Sequence, residues 1–183
     1  MDLISRESFP NKAPYRLTPN ENEELNRQVQ ELLKKGLMRE ILRPSTIPIM
    51  LAPKKNQEWK MCIDYRAIDK ITVKYRFPML RMDDIMDCLS QEKYFTQIDL
   101  KSGYHKVRIR EGDECKISFK TKDGLYELLV MPFGLTNAPS TFMRLMNEVL
   151  NFFLGKFVIV YLEDILIFSK TKEEHLEHIR QVL

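Results

Sequence analysis

The stretch Phe157-Val158-Ile159-Val160-Tyr161-Leu162-Glu163-Asp164-Ile165-Leu166-Ile167-Phe168-Ser169 sets two adjacent carboxylates inside an apolar run rich in β-branched and aromatic residues. Such a run reads as buried strand. The acidic pair interrupts it, most simply as the tip of a hairpin. Glu-Asp suits a tight hairpin poorly, because the favoured two-residue turns need positive φ and draw on Asn-Gly or Asp-Gly. Adjacent like charges also repel, and taking them out of water is costly without compensation. A bound divalent cation would compensate. An acidic surface hairpin is the plainer alternative, and this stretch alone does not decide between the two.

Whole-chain properties narrow the field. The 183 residues, 44% hydrophobic and 30% charged, suit one compact domain or two small lobes. A net charge of +3 permits nucleic-acid binding without arguing for it. Cys62, Cys88 and Cys115 are odd in number and show no Cys-x-x-Cys spacing, the pattern of reduced packing residues in an intracellular protein. The start, Met1 to Glu7, lacks the apolar core of a signal peptide, and no uncharged run is long enough to span a bilayer. No membrane partner is expected.

Outward from the hairpin, the pattern alternates helices and strands. Thr18, Pro19 and Glu21 open a helix with a capping box, Leu25, Val29, Leu32 and Leu33 form its stripe, and Gly36 ends it. The proline-punctuated stretch Arg43–Pro53 predicts an edge strand near Ile49–Leu51. Lys54–Gln57 reads as a turn and Trp59–Tyr65 as a half-buried strand. Met82, Ile85, Met86 and Leu89 share a helix face. Tyr94–Leu100 is a strand that delivers Asp99 at its C-terminal end. Val107 and Ile109 continue as a strand, and a hairpin turns at Asp123-Gly124. A helix buries Phe142, Leu145, Met146, Val149 and Phe153. The last, capped by Thr171 and Glu174, buries Leu176, Ile179 and Val182 and stops at Leu183 without a stop signal, as in a truncated fragment.

This order resembles a split β-α-β arrangement, an antiparallel sheet backed by helices. In such a sheet Asp99 and the Glu163-Asp164 pair can meet on one face although distant in sequence. Three acids without a cationic partner suit Mg²⁺, a hard cation taking oxygen ligands, and two such ions serve phosphoryl transfer. Other chemistries lack their signatures. There is no Gly-x-x-x-x-Gly-Lys-Ser/Thr loop and no Gly-x-Ser-x-Gly elbow. His175 and His178 have helical spacing but no ligand partner, so exposed helix positions are expected.

Four longer boxes carry a family resemblance. Tyr161-Leu162-Glu163-Asp164 resembles the Tyr-x-Asp-Asp box of reverse transcriptases. Trp59–Arg66, Ile98–His105 and Met131–Pro139 resemble its other boxes, in the right order and spacing, with wording closest to gypsy-like LTR retrotransposons. The resemblance implies an α/β (α+β) right-hand polymerase fold with fingers and a ferredoxin-like palm, and no thumb in this chain. Residues 1–11 would be an N-terminal extension, 12–74 and 107–135 fingers, 75–106 and 136–183 palm.

It further implies an RNA-directed DNA polymerase, a nucleotidyltransferase using two Mg²⁺ ions, or Mn²⁺ in their place. Its partners would be a primed RNA or DNA template, dNTPs, and the RNase H and integrase regions of a parent Pol polyprotein. By position, Asp99, Glu163 and Asp164 match catalytic, metal-binding carboxylates, and the Leu100 carbonyl a further ligand. Lys55, Lys60, Tyr104, Phe133 and Leu162 match nucleotide-binding positions; Arg66, Gly134, Leu135 and Tyr161 match template-primer positions. Arg66 has a second reading, a simple pair with Asp64. Glu163 departs from the family's Asp. The extra methylene predicts a weakened site, and a degenerate fragment that only binds nucleic acid is the alternative. A small RNA-binding domain would instead carry stacking aromatics at the sheet centre.

Overall fold

The computed structural model describes residues 2–4, 13, 15–42, 47–53, 59–78 and 81–183. The chain divides into two compact units. One takes Met1–Lys74 and Tyr104–Ala138, the other Tyr75–Gly103 and Pro139–Leu183. In chain order the elements are α1 (Pro19–Lys34), β1 (Met38–Glu40), β2 (Ile47–Pro53), β3 (Trp59–Ile63), α2 (Arg66–Ile71), α3 (Met82–Leu89), β4 (Tyr94–Asp99), β5 (Ser118–Lys120), β6 (Leu125–Leu128), α4 (Ala138–Val149), β7 (Val158–Tyr161), β8 (Asp164–Ser169) and α5 (Lys172–Val182).

In the first unit α1 begins and ends at its predicted caps. Thr18 Oγ1 accepts the Glu21 N–H, and the Glu21 carboxylate accepts the Thr18 N–H. Gly36 lies at φ +64°, and the N–H groups of Gly36 and Leu37 donate back to the carbonyls of Leu33 and Leu32. Leu25 and Val29 are buried from its inner face.

Five strands lie in the order β1-β6-β5-β2-β3. β2 is therefore interior, not the expected edge. Ile47 and Pro48 run parallel to β5, while Ile49–Pro53 pair antiparallel with β3. Because the two neighbours use largely different parts of β2, its prolines cost few ladder bonds. The β5–β6 hairpin forms as predicted, but neither Asp123 nor Gly124 takes positive φ. Thr121 Oγ1 instead accepts the N–H groups of Asp123 and Gly124. Arg108 makes only an isolated bridge to Val130, so the expected strand at Val107–Ile109 is not a full one. The predicted turn at Lys54–Gln57 lies outside the described residues.

The second unit holds an antiparallel sheet in the order β4-β8-β7. Val158 and Val160 of β7 stand opposite Ile167 and Ile165 of β8, and all four are buried. Alternation along the strands puts Thr96, Ile167 and Ser169 on one face. α5 covers that face through His175, whose imidazole bonds Thr96 Oγ1 at 2.8 Å and Ser169 Oγ at 3.0 Å. His175 is thus buried, against the expectation of an exposed helix position, while Leu176 is half exposed. The helix docks through this polar chain as well as through the half-buried Ile179 and Val182 of its aliphatic stripe. α3 also departs from expectation: no residue of it is buried, and Met82 and Met86 are exposed. No described helix is long and apolar enough to cross a membrane.

α4 buries Phe142, Met143 and Met146 and leaves Val149 exposed. Phe142 packs on Gly103, where an added Cβ would lie 3.0 Å from the ring. Gly103→Ala is therefore expected to destabilise the second unit by about 1–3 kcal/mol, the usual cost of overpacking. Thermal unfolding followed by circular dichroism measures it.

Candidate active site

The central geometry follows from strand register. β4 and β8 pair so that Asp99 stands directly opposite Asp164. Directly opposed residues of an antiparallel pair share a face, with Cβ atoms about 4.5–5.5 Å apart. By alternation this is the face away from α5, and it also carries Gln97 and Tyr161. Both carboxylates are exposed, and neither has an ion-pair partner among the described residues. Gln97 Nε2 donates to Asp164 Oδ1 at 2.8 Å. Gln97 is a site residue that sequence reasoning missed. Its place two residues before Asp99 in a strand is the signal that would have found it.

The turn between β7 and β8 differs from the expected one. Tyr161 pairs with Asp164, so the two-residue loop is Leu162-Glu163, and Asp164 already belongs to β8. The positive φ that a tight hairpin requires falls on Leu162, at 54°. Leucine in the left-handed region costs about 1–2 kcal/mol. The Leu162 N–H donates to Met143 Sδ at 3.1 Å, and the Glu163 carbonyl accepts the Leu100 N–H at 3.5 Å. The Leu100 carbonyl accepts the Gly103 N–H at 3.0 Å, which leaves one lone pair for another partner.

The site's donors fit Mg²⁺ in kind. Two carboxylates on an open sheet end, beside a backbone carbonyl, are the hard oxygen ligands that ion takes. In number they are fewer than expected. Among the described residues no three His, Cys, Asp or Glu side chains gather as a metal would require. The register brings Asp99 and Asp164 together, while Glu163 sits in the turn and not on the pleated face.

The remaining predicted residues lie in the first unit. Lys60 Nζ stands 4.3 Å from the Phe133 ring centroid, and Tyr104 meets the same ring edge-on at 4.8 Å. Phe133 is exposed, whereas Tyr104 and Leu135 are buried. Burial, then the charge of Lys60, push the His105 pKa down. Gly134 lies at φ +96°, a conformation that favours glycine. Lys55 lies outside the described residues. Arg66 forms the expected pair with Asp64. It holds Asp64 in a fork, at 2.7 Å and 2.8 Å, and Tyr15 donates to the same carboxylate at 2.9 Å.

The profile described as reverse transcriptase (RNA-dependent DNA polymerase) matches residues 52–183. The chain is 43% identical over 173 residues to a retrovirus-related Pol polyprotein from transposon 297 of Drosophila melanogaster, covering 92% of this chain and 16% of that protein. It is 51% identical over 126 residues to an RNA-directed DNA polymerase homolog of Oenothera berteroana, covering 67% of this chain and 89% of that one. The match to a Tf2 transposon polyprotein of Schizosaccharomyces pombe is 35% identical and covers 13% of that protein. A foamy viral protease-reverse transcriptase solved in complex with RNA/DNA hybrid aligns with TM-score 0.84 at 24% identity, over 98% of this chain and 24% of that one. The mixed α/β fold is that of reverse transcriptase structures.

The Arg66 fork holds the Asp64 carboxyl well below the ordinary aspartate range, outweighing burial. A depressed folded pKa means the stabilisation is complete above the unfolded value of about 3.9 and is lost as pH falls through the lower folded value. Acid unfolding of the first unit below about pH 4 is expected to lose part of its pH dependence in Asp64→Asn. Fluorescence of Trp59, the single tryptophan, follows it.

Proposed function

The chain belongs to the reverse transcriptase (RNA-dependent DNA polymerase) family, and from that premise we propose that it is the fingers and palm part of a retroelement polymerase, of gypsy-like type, that adds dNTPs to a primer on an RNA or DNA template. The observation that carries this reading is the register that sets Asp99 opposite Asp164 at the exposed end of the β4–β8 ladder. The first unit would be fingers and the second palm. The curated polyproteins are far longer, and RNase H and integrase regions of such a polyprotein, in an intracellular particle, are the proposed company of this chain.

Asp99 and Asp164 would hold Mg²⁺ through their carboxylate oxygens, with the Leu100 carbonyl as a further donor. Bound there, two Mg²⁺ or Mn²⁺ ions would supply activation of the primer hydroxyl and stabilisation of the leaving pyrophosphate. The protein's own contribution is positional. The β4–β8 ladder fixes the carboxylates against each other, and Gln97 restrains the Asp164 rotamer by its hydrogen bond. Lys55 and Lys60 are assigned to the triphosphate, Tyr104 to the sugar, and Phe133 and Leu162 to the nucleotide. Gly134, Leu135 and Tyr161 are assigned to template and primer. Arg66, already engaged by Asp64, would meet a template phosphate with the outer edge of its guanidinium.

Glu163 favours a second reading, a weakened or inactive site. It stands in the turn where the family has Asp, and its side chain is one methylene longer. A displacement of ~1 Å in a reacting group costs about 10²-fold in rate. In primer extension with Mg²⁺ on an RNA template, Glu163→Asp is expected to be faster than the unmodified chain by up to about 10²-fold. Asp99→Asn and Asp164→Asn are expected to show no extension above background. Equal rates for the unmodified chain and Glu163→Asp would remove the case for impairment. Extension by either Asn variant at the unmodified rate would contradict the assignment of the site.

A further inference from the structure

The two carboxylates stand at strand ends next to loops that α4 touches with consecutive residues. Phe142 packs on Gly103, in the turn that follows Asp99, and both are buried. Met143 accepts the N–H of Leu162, in the turn that precedes Asp164, and is 3% exposed. Neighbouring residues on a helix project about 100° apart. One helix turn therefore meets the two loops from two directions.

The Leu162 contact meets a specific need. Leu162 is held at φ 54°, where a leucine is strained. Its N–H lies at the bend of a two-residue loop and is turned toward the helix rather than across the ladder. Sulfur is a weak acceptor, yet without it this half-buried N–H would have lost its water and gained nothing. On the loop's other side the Glu163 carbonyl takes the Leu100 N–H. The loop is thus tied at both of its residues, to α4 by one and to the end of β4 by the other.

Resting on the carboxylates being the polymerase site, we propose that Met143 is a positioning residue for it: its thioether holds the Leu162-Glu163 turn in the conformation that starts β8 with Asp164 facing Asp99. Phe142, through Gly103, fixes the other loop from the same helix. Met143 acts through the Leu162 amide and does not touch the carboxylates' substrate.

The test separates the contact from the chemistry. Amide hydrogen exchange is measured by NMR on the 183-residue chain, with Met143→Leu as a close replacement lacking the acceptor. Met143→Gln returns an acceptor of similar reach. In Met143→Leu the Leu162 amide is expected to exchange about fivefold faster, the size of one modest hydrogen bond. Amides of Val160 and Ile167 in the same sheet are expected to stay within twofold, which excludes general loosening. Met143→Gln is expected to restore Leu162 protection. Titration with Mn²⁺, read from the Asp99 and Asp164 amides, is expected to weaken in Met143→Leu and recover in Met143→Gln. Unchanged Leu162 protection in Met143→Leu, or loss shared equally by the core amides, overturns the proposal. If protection falls at Leu162 alone but Mn²⁺ moves neither aspartate in the unmodified chain, the contact stands and the polymerase reading of the site is what fails.

Discussion

Two negative charges held face to face across an antiparallel pair are the constraint on which the second unit's site depends. Asp99 and Asp164 meet because the β4–β8 register puts them opposite each other, and like charges so placed oppose the pairing. The ladder tolerates them because it is driven elsewhere. Ile165 and Ile167 of β8 are buried along with Val158 and Val160 of β7, and each such side chain contributes roughly 1.5–3 kcal/mol. A one-residue slip would exchange Ile165 and Ile167 for Leu166 and Phe168 across the sheet and move Asp164 off the face of Asp99, so it is the register that places the carboxylates. The acids are placed by the strand pairing, at some electrostatic cost, at the exposed end of the sheet.

The turn shows the same division of labour. Its geometry demands one left-handed residue, and the chain supplies leucine rather than glycine. The strain persists because backbone groups on both sides of Leu162-Glu163 are bound, by Met143 and by Leu100. Strain of this kind fits a loop whose neighbours have a geometric task. Glu163 belongs to this same loop. It sits one residue before the strand rather than in it, apart from the Asp99–Asp164 pair of the ladder.

Much of this was legible in the sequence. The apolar run around residues 157–169 is a hairpin, Asp99 does end a strand, and both capping boxes form, because each depends on residues close in the chain. The Asp64–Arg66 pair was readable for the same reason, being two residues apart. What failed depended on partners far away. β2 is interior because β5, some seventy residues later, adds to it. His175 replaces Leu176 as the buried residue of α5 because Thr96 and Ser169 offer it hydrogen bonds, which hydrophobic periodicity does not register. The turn lies one residue earlier than the acidic pair suggests, because the backbone's positive φ falls on Leu162. Gln97 and Met143 were missed because neither belongs to a box, and their roles exist only once the strands are paired.

The most direct measurement of the central claim is paramagnetic broadening by Mn²⁺ in the NMR spectrum of the chain. The account predicts that sub-stoichiometric Mn²⁺ broadens the amides of residues 98–100 and 162–165 first, and that Asp99→Asn or Asp164→Asn abolishes this selectivity. Broadening that begins at other acids, such as the Asp83-Asp84 pair of α3, or that survives both substitutions, would contradict it.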